Sequence, residues 1–158
     1  MKLAEHTGMD PHILRALWGM HSQLERRFKL GPMVGKAFKA TNGIMQGCPI
    51  SVICISLFAQ VWANTIVAEI PEARPRAYAD DLAITASTAD SLGRAVDLTK
   101  EYAAMTGMEI NAKKSNCWAT TVQLREVLQA WDSFPVVGKE RYLGAHLSYS
   151  RRREKGTL

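Results

Sequence analysis

Two adjacent carboxylates, Asp80 and Asp81, are the side chains of this sequence best suited to chemistry. Short runs of apolar and small residues flank them, Ala77-Tyr78-Ala79 before and Leu82-Ala83-Ile84 after. Alternation along these runs, and the preference of Asp for turns, predict a strand, a tight turn and a second strand. The acidic pair is expected at or beside the turn. A lone pair of this kind is also typical of a solvated hairpin, so the rest of the chain must decide between the two interpretations.

Paired carboxylates at a turn offer hard oxygen ligands, which Mg²⁺ and Mn²⁺ prefer. A two-metal site of this type aligns the attacking and leaving oxygens of an in-line phosphoryl transfer. Because adjacent Asp side chains diverge across the pleat, such a site usually needs a carboxylate from a second strand. Asp10, Asp90 and Asp97 fit helix caps or solvated faces better. The chain therefore offers no convincing partner.

Composition indicates one folded domain of 158 residues, 47% hydrophobic and 22% charged, rather than a disordered chain. The net charge of +5 permits a polyanionic partner without requiring one. Basic residues form clusters, each of which alone is typical of a solvated face. The clusters are Arg26-Arg27-Phe28-Lys29, Arg74 with Arg76, Lys113-Lys114 and residues 151–155.

The three cysteines, Cys48, Cys54 and Cys117, are odd in number and form no CxxC pair. This pattern argues against a disulfide framework and against a zinc site. Residues 1–6 lack the apolar core of a signal peptide. We therefore expect an intracellular protein, nuclear or cytoplasmic, that is not secreted.

The first half of the chain predicts a helix, two short extended segments and a long apolar helix. The first helix begins at Asp10-Pro11 and runs to about Arg26. Extended segments are expected at residues 28–30 and 34–41, with Gly31-Pro32 between them and a turn at Asn42-Gly43. Residues 51–68 are long and apolar enough to span a membrane. Gln60 and Asn64 within them favour instead a central helix buried on most sides, and no membrane is expected.

The second half predicts alternating helices and short strands. A helix capped by Ser87 or Thr88 is expected to end at Gly107. Strands at residues 108–111 and 116–119 should flank a turn at residues 113–115, followed by a short helix near residues 124–131. A final β pair is expected between residues 135–138 and 142–147. Because the strands pair in hairpins, the fold class predicted is α+β rather than doubly wound.

Four segments, in order, resemble the signatures of reverse transcriptases, most closely those of non-LTR retrotransposons. Residues 43–51 are similar to the family's Gly-x-x-Gln-Gly-x-x-x-Ser signature, and Tyr78-Ala79-Asp80-Asp81 to its Tyr-x-Asp-Asp box. Residues 107–115 are similar to its Gly-x-x-hydrophobic-Asn-x-x-Lys-Ser/Thr segment, and Tyr142-Leu143-Gly144 to its Tyr-Leu-Gly element. The resemblance covers about residues 42–148, and four signatures in order are far more specific than any one.

The resemblance implies a polymerase palm, a short antiparallel sheet packed on helices, with Mg²⁺ (or Mn²⁺) as cofactor. Asp80 would be a catalytic metal ligand, and Asp81 would lie beside the metals with a lesser or indirect role. The remaining implied contacts are Tyr78 near the primer end, Gln46-Gly47 near the template and incoming nucleotide, Lys114 near the triphosphate, and Tyr142-Leu143-Gly144 near the primer strand. The complete enzyme would extend a DNA primer with dNTPs on an RNA (or DNA) template.

One departure from the family bears on activity. The family carries a further metal-binding Asp on a strand before the first helix seen here, and fingers and a thumb around the palm. We therefore expect residues 1–150 to be a partial palm from a longer polyprotein, followed by a basic, disordered tail at 151–158. Alone, the chain is expected to lack robust polymerase activity. The alternatives are a non-catalytic nucleic-acid-binding remnant and an unrelated domain with chance matches.

Overall fold

A computed structural model describes residues 2–39, 47–131, 133–143 and 145–148 of the chain. Helices and short two-stranded sheets alternate along this part of the chain, which confirms the predicted mixture of helix and short antiparallel sheet. The helices are α1 (Lys2–His6), α2 (Pro11–Ser22), α3 (Pro49–Glu69), α4 (Ala89–Thr106) and α5 (Val122–Gln129). The strands pair as β1 (Lys29–Leu30) with β2 (Met33–Val34), β3 (Arg74–Tyr78) with β4 (Asp81–Thr85), and β5 (Lys139–Tyr142) with β6 (Ala145–Ser148).

The chain divides into two compact units. The first comprises Met1–Asn64 and Arg76–Leu82, and so contains α1, α2, the β1–β2 hairpin, most of α3 and the tip of the β3–β4 hairpin. The second comprises Thr65–Pro75 and Ala83–Leu158, with α4, α5 and the β5–β6 hairpin. The 1–150 domain boundary stays a prediction, and the basic tail lies outside the described residues.

Helix α2 begins where the sequence predicts, but it ends at Ser22, four residues before the predicted end. The Asp10 carboxylate accepts a hydrogen bond of 2.7 Å from the His12 N–H and so caps the first turn. Leu14 and Leu17 bury the apolar stripe. The predicted end at Arg26 is wrong because the backbone of Arg26 exchanges hydrogen bonds of 2.8 and 2.9 Å with Phe38.

The long apolar helix α3 forms as predicted, but its predicted burial on most sides is wrong. Trp62 and Ile66, together with Ile70 just beyond the helix, are buried at four-residue spacing and form one stripe. The other described side chains of the helix are half-buried or exposed, and Val52 is 64% exposed. By length and composition Ile50–Glu69 could cross a membrane, with a mean hydropathy of 1.8 and 11% of the apolar window buried. A single helix of this kind is weak evidence for a membrane span.

Helices α4 and α5 pack against each other in the second unit, and α4 has the predicted caps. Thr88 accepts a hydrogen bond from the Ser91 N–H at 3.1 Å, and Gly107 ends α4 with a left-handed φ of 69°. Thr121 caps α5 in the same way as Thr88 caps α4. The aromatic ring of Trp131, just after α5, lies over Gly93 of α4.

The strands predicted at residues 108–111 and 116–119 are wrong. The turn between them does form, because the N–H groups of Lys114 and Ser115 both donate to the Asn111 carbonyl. Cys117 forms a parallel β-bridge with Val136, whereas the prediction paired its segment with residues 108–111. Its N–H donates to the Pro135 carbonyl at 2.9 Å.

The final β pair is also misplaced by the prediction. Residues 139–142 pair with residues 145–148, and Tyr142 lies opposite Ala145. Tyr142 therefore ends a strand and Leu143 lies in the hairpin connection, whereas the prediction placed both at the start of a strand.

Candidate metal and nucleotide site

The predicted acidic hairpin is present, and the carboxylate pair lies at its tip. Strand β3 ends at Tyr78 and strand β4 begins at Asp81, so Ala79 and Asp80 form the whole connection. A two-residue connection makes the pair antiparallel. Asp80 occupies the second turn position and Asp81 opens the return strand, and both are exposed.

The backbone of this connection matches the other described hairpins. In each of the three, the first connecting residue has positive φ: Gly31 at 59°, Ala79 at 52° and Leu143 at 48°. Positive φ at this position matches the right-handed twist of the flanking strands. Glycine adopts it freely, whereas a residue with a Cβ does so at a cost.

A groove of about 230 Å³ lies beside this turn, between the hairpin and one face of α3. Its lining is small and largely apolar, with two polar side chains among the residues Ile55, Ser56, Ala59, Gln60, Ala63, Ala77 and Ala79. The alanines keep the space open, because larger side chains at these positions would fill it. The groove, like the tip of the hairpin, belongs to the first unit.

The acidic pair is not neutralised within the described part of the chain. The side chains of Asp80 and Asp81 make no hydrogen bond or ion pair with a described residue. Arg74, the first residue of β3, donates to the carbonyls of Pro71 and Ala73. The two carboxylates therefore keep all their oxygens available to a cation or to water.

The donor chemistry suits a hard divalent cation, but the set is small. Mg²⁺ is commonly held by one or two carboxylates with waters and substrate phosphates in its other positions. Among the residues that the structure describes, no group of three or more His, Cys, Asp or Glu side chains could hold a metal ion. The turn thus offers two carboxylates and not a closed protein cage.

Two further predicted site residues belong to the same unit. Tyr78 ends β3 with 65% of its surface exposed. Gly47 precedes α3 with φ of 83°, and nothing lies within 4 Å of where a Cβ would stand. The groove starts at Ile55, about 9 Å along the helix axis from Pro49 at 1.5 Å per residue. Gln46 lies outside the described residues.

The other predicted site residues belong to the second unit. Lys114 is exposed in the turn that follows Asn111, where its N–H donates to the Asn111 carbonyl at 3.0 Å. Tyr142 is half-buried at the end of β5, and Leu143 is 51% exposed in the connection. Gly144 lies outside the described residues. Burial raises the pKa of Tyr102 and of the Cys117 thiol, both in this unit.

Sequence reasoning missed the groove. Ala59 and Ala63 lie four residues apart on α3, so they share a face on which a neighbour can approach closely. In an apolar run this spacing was an available signal. No sequence signal indicated the positive φ of Ala79, because alanine is not typical of such a position.

Residues 9–147 match the family model described as reverse transcriptase (RNA-dependent DNA polymerase). The match covers most of the 158 residues and includes the acidic hairpin, α3, α4 and α5. The class of protein is therefore a template-dependent polymerase domain.

The chain belongs to the reverse transcriptase family. Members of this family act on nucleic-acid template, primer and nucleotide substrates, and they generally use divalent metals.

Proposed function

We propose that this chain is part of the palm of a reverse transcriptase of non-LTR retrotransposon type, acting in the nucleus or cytoplasm. The observation that carries the proposal is the exposed Asp80-Asp81 pair at a tight hairpin tip beside an open groove on α3. The reaction would add a deoxynucleotide to the 3′-hydroxyl of a DNA primer on an RNA or DNA template. Divalent metal, Mg²⁺ or Mn²⁺, would there stabilise the charge that develops on the transferring phosphate.

In this proposal Asp80 is the principal metal ligand and Asp81 has a lesser or indirect role. The turn projects Asp80 beyond the strand ends, which leaves room for waters and phosphate oxygens around a bound ion. Asp81 is anchored at the first position of β4 and adds negative charge beside it. This arrangement presents two adjacent carboxylates that form no ion pair with a cation among the described residues.

The remaining assignments come from the resemblance to the family, and the exposure of the side chains and the backbone of Gly47 are compatible with them. The ring of Tyr78, largely exposed one residue before the turn, would pack near the primer end. Gln46-Gly47 would lie near the template and incoming nucleotide, which the open backbone of Gly47 supports. Lys114 would lie near the triphosphate, and Tyr142-Leu143-Gly144 near the primer strand.

The carboxylate pair is proposed to be incomplete as a catalytic centre. A further carboxylate, from outside the described residues, would complete the metal site. The fingers and thumb of the complete enzyme would hold the template and primer. We therefore expect the purified 158-residue chain to show no robust primer extension with dNTPs and Mg²⁺. Template-dependent extension that Asp80→Ala abolishes would overturn this expectation of inactivity.

A segment exchange tests the function itself. Residues 9–147 would replace the matching segment of an active reverse transcriptase of the same family, and extension of a DNA primer on RNA would be measured. The chimera is expected to extend the primer, and Asp80→Asn is expected to reduce its rate by on the order of a thousandfold or more. Asp90→Asn, which removes an exposed carboxylate from the first turn of α4, is the matched control and should leave the rate unchanged. An active chimera indifferent to Asp80→Asn would contradict the assignment.

A second candidate is a remnant that binds nucleic acid without catalysis. The observation in its favour is the exposed basic hairpin at β1–β2, whose cations make no ion pair with a described residue. This candidate predicts salt-dependent binding that Asp80→Ala leaves intact. Binding without salt dependence would rule it out.

A further inference from the structure

The β1–β2 hairpin carries an exposed aromatic pair. The rings of Phe28 and Phe38 stack with centroids 5.0 Å apart and an interplanar angle of 22°. Phe28 remains 77% exposed although one of its faces lies against Phe38, which is itself 38% exposed. The outer face of the Phe28 ring is therefore open to solvent.

Backbone hydrogen bonds hold this pair in place. Arg26 and Phe38 exchange hydrogen bonds of 2.8 and 2.9 Å, and the Gly35 N–H donates to the Phe28 carbonyl at 2.8 Å. Beyond them Lys29 pairs with Val34 in the ladder. The rings thus stand on a closed two-stranded ribbon, so the platform is formed before any ligand arrives and little ordering is needed to bind one.

The charge on this ribbon has one sign. Residues 26–39 contain five basic side chains and no acidic one, and Glu25 lies just before them. The basic residues are Arg26, Arg27, Lys29, Lys36 and Lys39. All but Arg26 are exposed, and none makes an ion pair with a described residue. A ligand for this surface must therefore be both anionic and able to stack on a ring.

We propose that the β1–β2 hairpin binds single-stranded nucleic acid, with a base stacked on Phe28 and the backbone phosphates held by the flanking cations. Single strands expose base faces that a duplex keeps stacked, and aromatic rings within a basic groove bind them with little sequence preference. The inference rests on the nucleic-acid partner of the proposed function, but it does not depend on the Asp80 site. The hairpin would hold an unpaired stretch of template.

The test is fluorescence anisotropy with the full chain and labelled 20-nucleotide oligo(dT) and oligo(U), with a 20-bp duplex for comparison. We expect both single strands to bind more tightly than the duplex at the same salt concentration. Phe28→Ala should weaken single-strand binding about tenfold, and Phe28→Trp should retain it. Trp18→Ala, which removes a 61% exposed ring from α2, is the matched control and should change nothing.

Salt dependence tests the phosphate contacts separately. Lys29→Gln/Lys36→Gln should lower the slope of log affinity against log salt by about 1.4, since each single-strand contact contributes roughly 0.7. Lys2→Gln/Arg15→Gln removes the same charge from α1 and α2 and should leave the slope unchanged. Circular dichroism checks that each variant is folded.

Three results would overturn the proposal. One is equal binding of single strands by the wild type and Phe28→Ala. Another is a duplex bound as tightly as the single strands. The third is tight binding to phosphatidylserine vesicles in the absence of oligonucleotide binding, which would assign the exposed Leu30 and Met33 at the hairpin tip to a lipid surface. In every case Asp80→Ala should bind as the wild type does, so failure here and failure of the metal site are distinguishable.

Discussion

Ala79 holds a left-handed φ of 52° immediately before Asp80, and these two residues form the entire connection between β3 and β4. The equivalent position of the β1–β2 hairpin is Gly31, which adopts φ of 59° without a Cβ penalty. For alanine the left-handed region costs about 1–2 kcal/mol. The turn that presents the acidic pair is therefore locally strained, as is common at functional sites.

Ala79→Gly should relieve this strain. We expect the free energy of unfolding to stay the same or rise by up to about 1 kcal/mol, because the relief is partly offset by the added freedom of glycine in the unfolded chain. Ala77→Gly is the matched control, since Ala77 lines the same groove but lies in β3. It should lower the free energy by about 0.5–1 kcal/mol. Urea unfolding measures both, and equal losses at the two positions would show that Ala79 is not strained.

Gly93 and Trp131 offer a second stability test in the second unit. A Cβ at Gly93 would stand 3.2 Å from Cη2 and Cζ2 of the Trp131 ring, closer than ordinary contact. Gly93→Ala should therefore forfeit the gain of about 1 kcal/mol that alanine usually brings to a helix interior. In a Trp131→Ala background the same substitution should recover that gain.

Gly19→Ala in α2 is the control, because nothing lies within 4 Å of where its Cβ would stand. It should show the full gain in urea unfolding. Equal gains at Gly19 and Gly93 in the otherwise unchanged chain would mean that the Trp131 ring does not press on α4.

The Cys117 thiol predicts a pH dependence. Burial raises the pKa of this thiol above its ordinary value of 9.0, and Sγ lies 3.5 Å from the Phe134 carbonyl. Because the folded chain favours the neutral thiol, the associated stability is complete below the unfolded pKa and is lost as pH rises through the folded pKa. Alkylation by iodoacetamide, followed by peptide mass spectrometry, should give a midpoint above 9.0 for Cys117 and a lower one in urea. A folded midpoint at or below the urea value would contradict the prediction.

The sequence predicted correctly the helix ends and the hairpin that depend on interactions between residues close together in the chain. Asp10, Thr88 and Gly107 mark helix ends by capping, and the structure places helix ends at all three. The acidic hairpin was predicted for the same reason, since alternation and turn preference both act within a few residues. The four family signatures predicted that the chain belongs to the reverse transcriptase family, and the family match confirms this prediction.

Non-local pairing was not predictable in this way. Cys117 bridges to Val136, a partner nineteen positions away along the chain, and this pairing replaces the predicted hairpin at 108–119. Apolar composition also failed to predict the burial of α3, because burial depends on what packs against a helix rather than on the helix itself. The groove lies between α3 and the β3–β4 hairpin that follows it, and the alanine spacing on α3 indicates a face open to close approach but not which element approaches it. Whether Asp80, Asp81, Tyr78, Gly47 and Lys114 act as assigned stays a prediction.

The most direct test of the central claim is a Mn²⁺ titration of the ¹⁵N-labelled chain, followed by NMR. Paramagnetic broadening should appear first at the amides of residues 79–82 and disappear in Asp80→Asn. The same broadening should persist in Asp90→Asn, whose exposed carboxylate lies in the first turn of α4. Broadening that begins elsewhere, or that Asp80→Asn leaves unchanged, would show that the Asp80-Asp81 turn is not the metal site.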